Sequence, residues 1–192
     1  LLAGTYKPNI GCTSYSAGAD ADVGYYVPIT AQATQTACLS GTYFPNTGST
    51  SSSSCADADA GYYVPTTGQS TQTACLAGTY NPNTGSTSSS ACGDADVGYY
   101  VATIAQISQT ACAIGTYQAL TGQASCDDAD AGYYVATIAQ TSQTACATGT
   151  YQANTGQSSC DDADAGYYVS TIAQTSQTAC AIGTYQALTG QA

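Results

Sequence analysis

Cysteine and aspartate are the side chains in this 192-residue chain whose chemistry is specialised and whose spacing is regular. The ten cysteines could form disulfides or bind a metal as thiolates. The twelve acidic residues are all aspartates, whose carboxylates suit a hard cation. Both sets recur along the chain at nearly constant intervals, so any site that they form is expected to occur several times.

Catalysis by the usual side chains is not expected. The chain has no histidine, so neither a Ser-His-Asp nor a Cys-His arrangement can be built. Cysteines held in disulfides would leave no thiolate for nucleophilic attack or for zinc. No glycine-rich loop precedes a helical pattern, as a phosphate site would require. The sequence therefore predicts a protein that is not an enzyme and that requires no cofactor.

Alternate aspartates offer one metal-binding pattern. An Asp-x-Asp pair precedes each Gly-Tyr-Tyr step, and Ca²⁺ takes carboxylates placed in this way in a tight turn. A full calcium loop also needs a distal bidentate glutamate, which this chain lacks. The alternative is a solvated acidic turn. The candidate calcium ligands are Asp20, Asp22, Asp57, Asp59, Asp94, Asp96, Asp128, Asp130, Asp162 and Asp164.

One repeating unit positions these residues, and it has two halves. The Thr half runs from Gly-Thr-Tyr to the next cysteine, as in 149–160, and the Tyr half runs from Gly-Tyr-Tyr-Val to the next cysteine, as in 132–146. The full repeat is 34 residues, or 37 where three extra Ser/Thr residues lengthen the Thr half. Such a period indicates a solenoid or array. We expect 1–192 to be one continuous tandem array that starts and ends in mid-repeat.

Composition limits the core and the partners. With one Phe, no Trp and no Met, the chain cannot fill a thick core, so each unit should pack only on its neighbours. Many cysteines stabilise modules that are too small to bury a core, in an oxidising compartment. We therefore expect an extracellular, secreted or cell-surface location. The net charge of −11 argues against nucleic acid as a partner, and no membrane insertion is expected in this segment.

Two cysteines that are missing together indicate how the others pair. In the first Thr half, Leu1 stands in the slot of Cys38 and Gly18 in the slot of Cys55. If these slots are partners, the loss of one cysteine makes the other useless, whereas a Cys55–Cys75 scheme gives no reason for a joint loss. Each bridge would close a loop of about 15 residues, worth about 3 kcal/mol. The predicted pairs are Cys38–Cys55, Cys75–Cys92, Cys112–Cys126 and Cys146–Cys160, with Cys12 free or intermolecular and Cys180 left for a partner beyond Ala192.

Local patterns favour short strands. Tyr-Tyr-Val and Thr-Gln-Thr-Ala are β-rich and partly alternating, and the Asn-Thr-Gly steps are typical of turns with a positive φ at glycine. No segment has a helical period. The predicted fold class is small, disulfide-rich and all-β: an elongated tandem-repeat β-ladder with little core and no helix.

Tyrosine and serine allow two interpretations each. The 17 tyrosines could stack on sugars or form cross-links, but we favour their building the thin core with hydroxyls reaching solvent. The serine runs of the lengthened Thr halves are either O-glycosylated or unmodified polar loops. No Asn-x-Ser/Thr sequon exists. The candidate O-glycosylation sites are Ser51, Ser52, Ser53, Ser88 and Ser89.

The pattern Cys-x-x-Gly-Thr-Tyr-x-x-x-Thr-Gly-x-x-x-Cys, from Cys146 to Cys160, resembles the ephrin-receptor-like cysteine-rich repeat, which is similar in style to growth-factor and TNF receptor modules. In such repeats the closing cysteine is usually followed by x-x-Cys-x-x-Gly, whereas here Ala129 stands at that cysteine. The resemblance covers the whole chain. It implies an extracellular stalk, adhesin or surface protein whose modules carry no catalysis.

The near-identity of the copies favours a structural role. A binding protein would usually individualise one copy to make a pocket, and only the first half departs from the pattern. We expect an extracellular fibre, filament or surface appendage that self-associates, with glycans attached to it. The alternative is a stalk or ligand-binding region of a receptor or adhesin.

Overall fold

The computed structural model describes residues 1–7 and 18–192, and that part of the chain is all-β. Its strands are two residues long and pair into ten two-stranded sheets. The described residues contain no α-helix, only two three-residue 3₁₀-helices at Ser52–Ser54 and Ser89–Ala91. The predicted class, small, disulfide-rich and all-β, is confirmed. None of the described helices is long and apolar enough to cross a membrane.

The strands follow the repeat in the described residues up to Ala179, and the last Thr half, which opens at Gly183, contains none. They are β1 Thr5–Tyr6, β2 Ala19–Asp20, β3 Tyr25–Tyr26, β4 Thr36–Ala37, β5 Thr42–Tyr43, β6 Ala56–Asp57, β7 Tyr62–Tyr63, β8 Thr73–Ala74, β9 Thr79–Tyr80, β10 Gly93–Asp94, β11 Tyr99–Tyr100, β12 Thr110–Ala111, β13 Thr116–Tyr117, β14 Asp127–Asp128, β15 Tyr133–Tyr134, β16 Thr144–Ala145, β17 Thr150–Tyr151, β18 Asp161–Asp162, β19 Tyr167–Tyr168 and β20 Thr178–Ala179.

Each Tyr half folds as one antiparallel loop. Strand β7 pairs with β8 so that Tyr62 faces Ala74 and Tyr63 faces Thr73. Aromatic and β-branched residues of this kind suit a half-buried strand. The strands expected in Tyr-Tyr-Val and Thr-Gln-Thr-Ala are present, but each is shorter than its motif. The valine that follows the two tyrosines leaves the strand and enters the core.

The Thr halves that open at Gly4, Gly41, Gly78, Gly115 and Gly149 also form one antiparallel pair each, and here the structure corrects the sequence interpretation. Strand β5 pairs with β6, with Thr42 opposite Asp57 and Tyr43 opposite Ala56. The acidic stretch is therefore not wholly a turn, because its first aspartate belongs to a strand. After the cysteine at 55, the chain must run back along Thr42–Tyr43, and this places Asp57 in the ladder.

The core is thin and is built from small side chains. Val64 and Ala58 are fully buried, and Cys75 is nearly so, whereas the tyrosines of the described residues are half-buried or exposed. The expectation that tyrosine builds the core is therefore wrong: the rings lie at its edge, and the buried apolar positions are occupied by valine, alanine and cysteine. The buried apolar residues are Ala21, Ala58, Ala95, Ala129, Ala163, Val27, Val64, Val101, Val135, Val169, Cys38, Cys75, Cys112 and Cys146.

The chain divides into two compact units, Leu1–Gly93 with Thr103–Ser108, and Asp94–Ala102 with Gln109–Ala192. In the second unit, three main-chain hydrogen bonds link each half to the next. For the step from the Thr half at Gly115, they run from Gly115 N–H to Val135 O (2.8 Å), from Gln118 N–H to Gln140 O (3.0 Å), and from Ala139 N–H to Cys112 O (2.9 Å).

The same three bonds recur in the first unit between successive halves from Gly24 to the half that opens at Gly78. There, Gly41 N–H donates to Val64 O (2.8 Å), Phe44 N–H to Gln69 O (3.1 Å), and Gly68 N–H to Cys38 O (2.8 Å). The main-chain N–H and C=O groups are the same whatever the side chain, so these bonds can repeat even where the side chains differ. The repeat is thus held in register by its backbone.

The glycine that opens a half has a positive φ, and in most halves close packing requires it as well. Gly115 has φ +83°, and a Cβ there would overlap the carbonyl oxygen of Gly156 and lie 2.8 Å from its carbonyl carbon. Gly183 occupies the same slot with φ +88°, but nothing lies within 4 Å of its Cβ position. These two glycines share the backbone strain and differ only in the neighbour.

We expect Gly115→Ala to destabilise the fold by at least about 2 kcal/mol more than Gly183→Ala. Both variants place alanine in the left-handed region, at about 1–2 kcal/mol, but only the first displaces packed backbone. Urea unfolding followed by circular dichroism measures the difference. Equal losses in the two variants would show that close packing at Gly115 contributes nothing.

Another slot holds alanine in the left-handed region. Ala31, Ala105, Ala139 and Ala173 have φ between 58° and 61°, and Gly68 fills the same slot with φ 73°. Alanine is strained there and glycine is not. The slot nevertheless accepts both residues, because its contacts with neighbouring halves are made by its main-chain N–H and carbonyl and not by a side chain.

We expect Ala139→Gly to stabilise the fold by about 0.5–1 kcal/mol, because relief of strain exceeds the added chain entropy of glycine. The control is Ala147→Gly, an exposed position that is not in the left-handed region, where glycine should destabilise. Thermal and urea unfolding of both variants measure the shifts. A loss of stability in Ala139→Gly would contradict the assignment of strain to this slot.

Candidate functional site

Four disulfides close the Thr halves, and they join the four pairs that the sequence predicts. Their Cα atoms are 5.7 or 5.8 Å apart, within the usual range. In the first half, where both cysteines are missing, the side chain of Leu1 packs on Gly18, so the two slots still face each other. The bridges are Cys38–Cys55, Cys75–Cys92, Cys112–Cys126 and Cys146–Cys160.

Two cysteines remain outside these bridges. Cys180 is an unpaired, half-buried thiol in the described part of the chain. Cys12 lies outside the described residues, so its free or intermolecular state stays a prediction.

The second aspartate of each pair is held by a glutamine 13 residues later. Asp130 N–H donates to Oε1 of Gln143 (2.6 Å), and Nε2 of Gln143 donates to Oδ2 of Asp130 (2.6 Å). This two-bond clamp joins the turn before the Tyr half to its closing strand. It recurs as Asp22–Gln35, Asp59–Gln72, Asp96–Gln109, Asp130–Gln143 and Asp164–Gln177.

The first aspartate of each pair lies apart from this clamp. Asp128 is exposed in its strand, and its carboxylate lies against Gly156 of the next Thr half. Asp57 is placed in the same way against Gly85. These carboxylates are exposed to solvent and lie beside the tight turns formed at Gly156 and Gly85.

The arrangement does not fit a calcium site well. One carboxylate of each Asp-x-Asp pair is already bonded by an amide, and the described residues contain no group of three His, Cys, Asp or Glu side chains that could hold a metal. Calcium usually takes six to eight oxygen ligands. The calcium sites at Asp57, Asp59, Asp94, Asp96, Asp128, Asp130, Asp162 and Asp164 stay a prediction that no contact supports.

The glutamine clamp is the feature that sequence reasoning missed. A signal was available, since a glutamine stands three residues before the closing cysteine of all five Tyr halves. Buried amides form a second overlooked set. Gln118 donates from Nε2 to Ser125 O (2.9 Å) and accepts from Leu120 N–H (3.0 Å), which fixes the loop of that Thr half.

The first copy adds a phenol to its clamp. The Tyr6 hydroxyl donates to Oδ2 of Asp22 at 3.2 Å. Desolvation by burial raises the pKa of the Tyr6 phenol, and the charge and hydrogen bond of Asp22 raise it further. The phenol therefore stays protonated and remains a donor over the whole physiological range.

The serine runs form short capped helices rather than loose loops. Ser51 accepts at its Oγ from Ser53 N–H (3.1 Å), and the hydroxyls of Ser51 and Ser53 lie 2.8 Å apart. Ser88 accepts from Ser90 N–H in the same way (3.2 Å). The hydroxyl of a serine that caps a 3₁₀-helix is already engaged in a structural hydrogen bond. Ser52 and Ser89 lie between them, exposed and without a side-chain hydrogen bond to any described residue.

A cavity of about 130 Å³ opens beside the first serine run. Tyr26 and Leu39 form its apolar wall, and Thr42 and Ser52 supply hydroxyls. The Cys38–Cys55 bridge forms its base. These groups can hold a small molecule or an attached group by contact and hydrogen bonds.

No protein-family model matches this chain, and no curated protein matches it either. The likeness to ephrin-receptor-like repeats still rests on the cysteine, glycine and tyrosine pattern and stays a prediction. What the structure brings together in each copy is a clamp, a backbone ladder and, in the Thr halves from Gly41 to Gly149, a disulfide. The lengthened Thr halves add exposed hydroxyls.

We expect Gln143→Ala to destabilise the fold by about 1–2 kcal/mol, because it removes two hydrogen bonds and leaves the Asp130 carboxylate unpaired. The matched control is Gln157→Ala, because the side-chain amide of Gln157 donates only to Thr155 O in its own loop (3.0 Å). This variant should lower the free energy of unfolding by less than about 0.5 kcal/mol. Urea unfolding distinguishes the two. Similar small effects would show that the clamp is incidental.

Proposed function

We propose that this chain is a structural segment of an extracellular protein that self-associates into a fibre, filament or surface appendage. The observation that supports this most is the recurrence of the same three main-chain hydrogen bonds between successive halves in each unit. Such a ladder bears tension through backbone groups that are identical in every copy. A scaffold of this kind needs no individualised pocket.

Its disulfides support the extracellular location. Four bridges, each closing one Thr half, are stable in an oxidising compartment and rare in the cytosol. We further propose that the exposed serines of the lengthened halves carry O-linked glycans. The net charge of −11 would keep neighbouring fibres from adhering without specificity.

Electron microscopy of the native, unreduced protein tests the fibre proposal. We expect uniform thin filaments whose axial repeat is commensurate with the 34–37-residue unit. Reduction followed by alkylation should disassemble them, because each Thr half then loses a staple worth about 3 kcal/mol. The matched control is alkylation without reduction, which should leave the filaments intact.

Dispersed particles of one chain's size under the same conditions would contradict the fibre. They would favour the alternative, in which the array is the stalk or ligand-binding region of a receptor or adhesin. Binding to intact cells or to a panel of immobilised glycans and extracellular proteins would then be the informative measurement.

A further inference from the structure

The serine runs, the cavity beside them and one exposed leucine form a single feature. Leu39 follows the first cysteine of its Thr half, is 72% exposed and lines the cavity with Ser52. Because it lies at the rim of the cavity, the leucine side chain can contact a group held there. The feature lies wholly within the first unit.

The same combination of residues occurs a second time. The lengthened Thr half that opens at Gly78 has identical residue types at all seven positions that line the first cavity. Its leucine, Leu76, is also 72% exposed. These equivalents are Tyr63, Ala74, Cys75, Leu76, Thr79, Ser89 and Cys92.

The leucine and the serine also disappear together. In the two complete shorter Thr halves, alanine replaces the leucine, as Ala113 and Ala147, and the inserted serines are absent. In the first half, which has the longer spacing, Leu2 stands in the leucine slot and Tyr15 at the position of Ser52. The leucine therefore accompanies the lengthened form of the Thr half, and two copies combine it with the serine run.

The hydroxyls of the run are not equivalent. Ser51, Ser53, Ser88 and Ser90 bond to one another or to backbone in their 3₁₀-helices. Ser52 and Ser89 are exposed at the first helical position and make no side-chain hydrogen bond to the described residues. Ser54 makes no side-chain hydrogen bond to the described residues either, but only Ser52 of this run lines the cavity with Tyr26, Leu39 and the disulfide, and Ser89 holds the same position in the second run.

We propose that Ser52 and Ser89 are the acceptors of an O-linked neutral monosaccharide, whose ring lies in the cavity against Tyr26 and Leu39 at the first site, and against Tyr63 and Leu76 at the second. A cavity of about 150 Å³ holds one benzene-sized ring, so about 130 Å³ can take up part of one sugar ring and not an oligosaccharide. Tyrosine offers a flat apolar face with a polar edge. An anionic sugar would be repelled by the net charge of −11.

The modification requires a nucleotide-sugar donor and a glycosyltransferase of the secretory pathway, so it rests on the proposed extracellular location. The serine Oγ attacks the anomeric carbon of the donor and forms the new C–O bond. The bond from that carbon to the phosphate oxygen breaks and releases the nucleoside diphosphate. The serine proton passes to a base of the transferase.

Glycopeptide mass spectrometry of the native secreted protein, with fragmentation that retains the sugar, tests the acceptors. We expect one neutral-sugar increment on each of Ser52 and Ser89, and none on Ser51, Ser53 or Ser88. Unmodified Ser52 and Ser89, or sugar spread evenly over the run, would overturn the proposal.

Matched variants separate the acceptor from the fold. Ser52→Ala should remove one increment and leave Ser89 modified, and Ser51→Ala should keep both increments although it loses a cap. The Cys38–Cys55 bridge in each variant, read from the non-reducing mass, establishes that the site has folded. Loss of the Ser52 increment in Ser51→Ala with the bridge intact would show that Ser52 is not the acceptor.

The seating of the sugar has its own measurement. Nuclear Overhauser contacts between the anomeric proton region and the Tyr26 ring are expected in the modified protein, and Leu39→Ala should weaken them while the increment remains. A modified Ser52 without such contacts would overturn the cavity assignment.

The outcomes for the two proposals are distinguishable. Filaments with unmodified serines would refute this site alone, whereas modified serines on dispersed particles would refute the fibre alone.

Discussion

The hydrogen bonds that pass from the backbone of one half to the next are the constraint on which the rest of this structure depends. Because each half is too small to enclose a core, its valine, alanine and cysteine are buried only when the adjacent halves are held in place. The opening glycine makes this approach possible, since the position of its missing Cβ is filled by the carbonyl of Gly156 in the case of Gly115. Burial is thus a consequence of the ladder and not its cause.

The two halves close their loops by different means. A Thr half has a covalent bridge, such as Cys112–Cys126, and a Tyr half has the clamp of Asp130 and Gln143. The position of Ala129, where the resembled repeats carry a further cysteine, is fully buried in the core. A bonded amide and carboxylate can replace a covalent staple where the neighbouring halves already restrict the loop.

Sequence reasoning reached the fold class, the strands and the disulfide pairing, because these depend on patterns that recur at fixed spacing. The joint absence at Leu1 and Gly18 was informative, since disulfide partners are a two-residue constraint that a single sequence can expose. The clamp of Asp130 and Gln143 was missed because the partners are 13 residues apart and lie just outside the strands, where polar residues are equally typical of a solvated loop. The tyrosines were assigned to the core on size, whereas the buried apolar positions hold only valine, alanine and cysteine.

The serine insertion lies between Ser49 and Cys55, after the last residue of its Thr half that joins the ladder. Three residues can therefore be gained or lost there without moving any bonded position. Copies of unequal length remain interchangeable, so recombination between their nearly identical coding segments can add or delete whole repeats and still yield a chain that folds. The number of repeats is then a quantity that a population can vary readily, while the geometry of each step stays fixed.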